Sequence, residues 1–355
     1  MSDLKNFRFT STVCFLLGFL LIAGTGQAAE PVSLREAAQA RGKLVGFCMF
    51  GAPGQEAKYD ETAGREFNVV VCENAMKFGC VCPGARGQYD FSVPDAIVGF
   101  AQTNKMKVRG HTLVWHFQQP QWFSGGNWSK QEMADIVHEH IRTMLTHYKG
   151  KVFAWDVVNE AISDSKDPKQ IYRKDNYYDV LGPDYLDMAF RWAREADPKA
   201  KLIYNEYGTE FGGVKFEKMY EMLKGMKARG VPVDGVGLQM HIGLGAKGET
   251  KKPANTIRKL GELGLEVQIT ELDVAIDLPC DDKKLQMQAE IFGDITATAM
   301  EEKACTALLM WGFTDKHSWL PQFSDGKRGC GLIFDEQYRS KPAYTTMLRA
   351  MTKSR

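Results

Sequence analysis

The 355-residue sequence carries almost no net charge: 45 Lys and Arg stand against 44 Asp and Glu. A nucleic-acid partner would require a basic face, so none is expected. No run of Lys or Arg marks an anionic membrane surface. Between residues 30 and 355 there is no Pro/Ser-rich linker, low-complexity tract or charge block, and no segment apolar enough to span a bilayer. A Gly-rich phosphate loop is missing: Gly46, Gly51 and Gly54 do not make G-x-G-x-x-G, which weighs against a doubly wound nucleotide-binding sheet. Metal-ligand spacing is missing too. Cys80-Val81-Cys82 has no second pair to complete a zinc ribbon. His138-Glu139-His140 lacks the i, i+4 histidines of zinc proteases and reads as a solvated helix face. Neither a metal nor an organic cofactor is expected.

The first 28 residues stand apart. Lys5 and Arg8 precede an apolar stretch from Thr12 to Ala23, and Gly26-Gln27-Ala28 places small residues around a cleavage point. A membrane anchor needs about 20 apolar residues, so the pattern is that of a secretory signal peptide over 1–28. Export to the periplasm or the exterior is expected, with no membrane association after cleavage. Removing Cys14 with the leader leaves seven cysteines. An odd set in an oxidising compartment leaves at least one free thiol, and the pairing is not legible.

The remainder, 30–355, reads as one domain. Eight β-rich runs recur along it: 44–48, 68–76, 107–115, 152–160, 201–207, 235–241, 266–274 and 306–313. Helical patterns lie between them at Pro94–Ala101, Gln131–His147, Asp184–Ala196, Phe216–Ala228 and Lys284–Glu302. Eight strands alternating with helices predict an α/β fold of the (β/α)8 TIM barrel type in a single domain.

Two of these runs, WDVVNE at 155–160 and ITELDV at 269–274, deliver a glutamate from an otherwise strand-forming segment. A carboxylate has no reason to finish a buried strand unless it meets water or a ligand. In a barrel all strands open their C-terminal ends on one face, so Glu160 on the fourth and Glu271 on the seventh share a mouth. Polar residues end other strands at the same level: Glu73, Asn74, His111, Glu206, Gln239 and His241. They are expected to line a cleft. A pair of carboxylates in such a cleft is the apparatus of glycosidic bond cleavage. Two neighbouring glutamates do not both ionise cheaply, and the proton is assigned to Glu160. Sugars present apolar CH faces, and four of the seven tryptophans (Trp115, Trp155, Trp311, Trp319) lie on or beside strand-ending motifs.

With these residues in place the chain resembles family 10 glycoside hydrolases, the endo-β-1,4-xylanases. The resemblance covers nearly all of 30–355 and is carried by ENAMK (73–77), GHTLVWH (110–116), WDVVNE (155–160), GVGLQMH (235–241), ITELDV (269–274) and WGFTDKHSW (311–319). It implies Glu271 as nucleophile and Glu160 as acid/base in a double displacement with retention of configuration. Asn159 is implied at the sugar 2-OH, and His241 backed by Asp273 as the holder of Glu271. Glu73, Asn74 and Lys77 are implied at the −2 subsite. His111, Trp115 and Gln239 would surround −1, with Trp311 and Trp319 as its walls. Xylan and xylo-oligosaccharides are the implied partners, a monomer is expected, and no separate carbohydrate-binding module is expected.

Departures from the family pattern keep other readings open. Phe78 stands where the family usually has Trp, and Gly79-Cys80-Val81-Cys82 replaces a polar stretch. Asn205-Glu206-Tyr207-Gly208 ends without the usual amide side chain, and Ala299 stands where a cysteine is frequent. Phe78 and Gly208 permit a β-1,4-glucanase instead. A non-catalytic glycan-binding barrel would be expected to have lost one of the two carboxylates. Residue by residue, His241 competes with a core histidine, Lys77 with a snorkelling surface lysine, and Trp311 with barrel filling. Trp155 reads as core.

Overall fold

All eight β-rich runs form strands: β1 (Leu44–Met49), β2 (Val69–Cys72), β3 (Lys107–Gly110), β4 (Val152–Asn159), β5 (Lys201–Glu206), β6 (Gly235–Leu238), β7 (Glu266–Asp277) and β8 (Cys305–Met310). The computed structural model describes residues 33–353; the leader assigned to 1–28 lies outside the described residues. Each strand pairs in parallel with the next, and β8 returns to β1 with Leu44 opposite Ala307 and Phe47 opposite Met310. The sheet is therefore closed. Helices Ala57–Glu66, Ser92–Thr103, Lys130–His147, Tyr185–Ala196, Val214–Ala228, Lys252–Glu262, Asp282–Glu301 and Pro342–Thr352 follow the strands in turn. This is the expected (β/α)8 barrel.

Local chemistry sets where these helices start and which side they bury. Ser129 caps Lys130–His147 reciprocally: its hydroxyl takes the Glu132 N–H at 3.3 Å, and its own N–H donates to Glu132 Oε2 at 2.9 Å. The buried stripe of this helix runs through Met133, Ile136, Val137, His140, Ile141 and Met144. His140 thus corrects the reading of 138–140 as a solvated face. It falls at i+3 and i+4 spacing from the apolar residues and is carried inward with them. Its ring stacks on Phe78 with centroids 3.9 Å apart, and Tyr89 Oη lies 3.1 Å from its Nδ1. Burial pushes its pKa down to about 3. His138 stacks on Trp192, and Glu139 pairs with Arg86.

The barrel interior has two halves. Cys48, Val69, Val71, Ala307 and Leu309 fill one, with Trp311 packed in the same cluster. In the other, Arg109 makes a bidentate ion pair with Asp156, both wholly buried. Gln268 Oε1 takes the Arg109 Nε–H at 2.8 Å. Desolvating such a pair is costly and is repaid only by good geometry and further hydrogen bonds, and this one also orients a site residue. Asp156 Oδ2 stands 2.8 Å from His111 Nδ1.

Several strands end before the sequence patterns do. β2 stops at Cys72 rather than 76, and β3 at Gly110, with Val114–Trp115 re-forming a short pairing to β4. β6 stops at Leu238, after which His241–Gly243 pairs with Asp273–Ala275 of β7. The polar residues after these stops thus leave the ladder at the rim. Glu206 differs from the cleft position expected of it: it is fully buried and bonded within the fold. Cys280 and Cys330 form a disulfide, and Cys48, Cys72, Cys80, Cys82 and Cys305 are free.

Candidate active site

Glu160 is the first residue beyond β4, and its φ of +62° lies in the left-handed region. For a residue with a side chain such a conformation costs on the order of 1–3 kcal/mol. The turn aims the carboxylate into the mouth. Gln239 Nε2 donates to Glu160 Oε1 at 2.8 Å and Asn159 Nδ2 to the same atom at 3.1 Å. Trp115 Nε1 donates to Oε2 at 2.8 Å.

Glu271, in the middle of β7, is buried and doubly held. Asn205 Nδ2 donates to its Oε1 at 2.7 Å, and His241 Nε2 lies 3.0 Å from its Oε2. Asp273 Oδ2 receives both His241 Nδ1 at 2.8 Å and Trp319 Nε1 at 2.7 Å. Burial opposes ionisation of Glu271, but the His241 hydrogen bond, the nearby imidazoles and the Asn205 amide outweigh it. They hold the carboxyl down at about 2. Burial likewise works against a charged His241, and the Asp273 and Glu271 carboxylates overcome it, lifting the imidazole to about 10. Its two ring nitrogens bridge the Glu271 and Asp273 carboxylates, which sets aside a core histidine satisfied by backbone.

Asn205 joins the two glutamates. Its Nδ2 also donates to Asn159 Oδ1 at 2.9 Å, giving an amide chain from Glu160 through Asn159 and Asn205 to Glu271. Thr270 Oγ1 fixes the Asn205 carbonyl at 2.7 Å. Room for this amide comes from Gly237, where a Cβ would lie 2.0 Å from Asn205 Oδ1. Sequence reading missed Asn205 as a site residue. The signal was an amide inside a buried strand, but nothing in KLIYNE names its partners.

The remaining residues gather around this pair. Lys77 is buried rather than snorkelling: its Nζ donates to Asn74 Oδ1 at 2.9 Å and Gln118 Oε1 at 2.7 Å, and lies 4.7 Å from the Trp115 ring centre. Burial lowers its pKa, against the pull of the Glu271 and Glu73 charges. Glu73 is raised by burial, and Lys77 partly offsets this. Trp311 belongs to the barrel filling, yet its ring also stands edge-on to His111 at 5.1 Å and near His241 at 6.3 Å. Trp155 is core, as read. Gln118 was missed; a glutamine in a loop carries no pattern.

Residues 33–350 match the family model for Glycosyl hydrolase family 10. The chain belongs to glycosyl hydrolase family 10. It is 40% identical over 342 residues to endo-1,4-beta-xylanase B of Thermotoga neapolitana, spanning 95% of this chain and 96% of that protein. It is 39% identical over 303 residues to a beta-1,4-xylanase of Dictyoglomus thermophilum, spanning 82% and 84%. The solved xylanase 10B of Thermotoga maritima superposes with a TM-score of 0.86 at 42% identity, over 90% of this chain and 98% of that one. The same TM-score, identity and 90% coverage, with 97% of that chain, hold for xylanase 10B of Thermotoga petrophila RKU-1, solved with xylobiose. Family 10 is a retaining glycoside hydrolase family.

Two departures from the family pattern can now be placed. Phe78 is buried against Trp122, Phe123 and His140 and packs into the core beside the site. Gly208 adopts φ +68°, a conformation that disfavours any side chain.

Proposed function

We propose that this family 10 enzyme is an endo-β-1,4-xylanase that cleaves internal xylosidic bonds of xylan by double displacement. The observation that carries the reading is the pairing of a Glu271 carboxylate held by His241 and Asn205 with Glu160, joined through Asn159 and Asn205. Glu271 attacks the anomeric carbon while Glu160 gives its proton to the departing glycosidic oxygen. Forming the ester removes the Glu271 charge. Glu160, now a carboxylate, takes a proton from the incoming water, whose oxygen attacks the same carbon and releases Glu271.

Asn159 is assigned to the 2-OH at −1, a contact that strengthens in the transition state. His111, Trp115 and Gln239 surround that sugar, Trp311 and Trp319 wall it, and Glu73, Asn74 and Lys77 receive the next one. Xylan is favoured over a β-1,4-glucan because the named relatives are xylanases and Phe78 turns its ring into the core. Trapping with a 2-fluoro-xylobioside should label Glu271 in a peptide digest; a label elsewhere rejects the assignment. Aryl xylotriosides should be cleaved faster than aryl cellotriosides, and the reverse order makes the enzyme a glucanase.

The enzyme is further proposed to act as an exported monomer. The leader-like pattern of residues 1–28 supports export, as does the Cys280–Cys330 disulfide. Sedimentation of the mature protein and the site of leader cleavage test both points.

A further inference from the structure

Glu160 sits in a strained conformation just outside the ladder, so its backbone needs partners from elsewhere. They are supplied in full. The Glu160 N–H donates to the Asn205 carbonyl at 2.9 Å, and the Glu160 carbonyl accepts Arg173 Nε at 2.9 Å. The Ala161 N–H donates to Tyr204 Oη at 3.0 Å, and the Ala161 carbonyl accepts the Arg173 N–H at 2.8 Å. The Ile162 N–H donates to Glu206 Oε2 at 3.1 Å, and the Ile162 carbonyl accepts Arg173 Nη2 at 3.4 Å. Three of these six bonds come from one arginine and two from buried side chains of β5.

Those side chains are themselves fixed. Tyr204 Oη donates to Glu206 Oε2 at 2.7 Å, and Lys215 Nζ lies 3.0 Å from Glu206 Oε1. Lys215 also reaches Asp164 Oδ1 at 2.7 Å, while Arg173 Nη2 reaches Asp164 Oδ2 at 2.9 Å and Tyr207 Oη at 2.8 Å. The network closes on itself through Asp164. An isolated buried carboxylate at 206 would be costly; Tyr204 and Lys215 offset that cost, and the bond from the Ile162 N–H ties the carboxylate to the turn. A left-handed residue with a side chain persists where its surroundings over-determine it.

We propose that Arg173, Tyr204, Glu206 and Lys215 are positioning residues that act on the reaction through the Glu160 turn. They do not touch the sugar; they fix where the proton donor stands relative to the leaving oxygen. The proposal rests on Glu160 being the acid/base. A misplacement near 1 Å costs roughly a hundredfold when the displaced group does chemistry. Only substrates that need the proton should register it.

The test compares kcat/KM, which reports the first bond cleavage, for two aryl xylobiosides. The 2,4-dinitrophenyl leaving group departs without a proton; phenol requires one. Tyr204→Phe, Arg173→Met and Glu206→Gln should each lower the phenyl substrate at least about tenfold more than the dinitrophenyl substrate. Tyr204→Phe removes one oxygen only and decides the matter if Glu206→Gln does not fold. Glu160→Ala is the reference and should show the largest split. If Glu160→Ala splits the substrates and the positioning variants lower both equally or neither, the proposal is wrong. If Glu160→Ala itself shows no split, the acid/base reading fails and the proposal falls with it.

Discussion

His241 presents Nε2 to Glu271 Oε2 at 3.0 Å, with its other nitrogen held by Asp273 at 2.8 Å. Glu271 therefore keeps its charge far below the ordinary glutamate value of about 4.3, down to about 2. In the proposed mechanism the carboxylate form attacks, so activity should be lost as pH falls through the Glu271 pKa, not as it rises. Replacing His241 by Asn removes the counter-charge while burial remains, so the carboxyl climbs. The acid limb of kcat/KM should move toward neutral pH, and the rate at the optimum should fall roughly a hundredfold. A His241→Asn profile that overlays the wild type would remove His241 from this role.

Gly237 is where the backbone of β6 makes room for the site. A methyl group there would meet the Asn205 carbonyl at 2.0 Å. Gly237→Ala should push Asn205 away from Glu271 and Asn159, costing about 1–3 kcal/mol of stability. The rate should drop by more than about tenfold, as for a misplaced reacting group. Urea melts and kcat on xylan measured together check this; unchanged kcat would show that the Asn205 bridge is dispensable.

Arg109 and Asp156 illustrate a different dependence. Removing one partner of a wholly buried pair strands the other charge, at a cost of about 3–5 kcal/mol. Arg109→Met should show that loss in chemical denaturation. Asp156 also orients His111, so the variant that folds should bind xylo-oligosaccharides more weakly.

The Cys280–Cys330 bridge links residues 50 apart. Closing a loop of that size in the unfolded chain is worth about 2–4 kcal/mol. Thermal unfolding with and without reductant should show a lower Tm on reduction, and Cys280→Ser should reproduce it. Equal Tm values would mean the bridge adds nothing to stability.

Periodicity made the barrel legible, because strands buried on both faces read as short apolar runs between amphipathic helices. The two glutamates were legible for the same reason: each is a charge that a buried strand cannot explain. Their supports were not. Asn205 and Glu271 are 66 residues apart, Arg109 and Gln268 are 159 apart, and Arg173 holds Glu160 from a loop with no periodic pattern. Such choices of partner follow from closure of the sheet, which no local window contains. His140 shows the opposite failure. His138 and Glu139 before it are polar, but its neighbours on the helix face are apolar, and the face decided its fate.

Double displacement requires that Glu271 form a bond to the sugar and that water later attack from the side the leaving group vacated. Proton NMR of the first product released from a xylo-oligosaccharide, read before mutarotation, distinguishes this from direct attack by water. Double displacement should give the β-anomer at the new reducing end. Initial appearance of the α-anomer would mean that water attacks directly, and the double displacement through Glu271 would be contradicted.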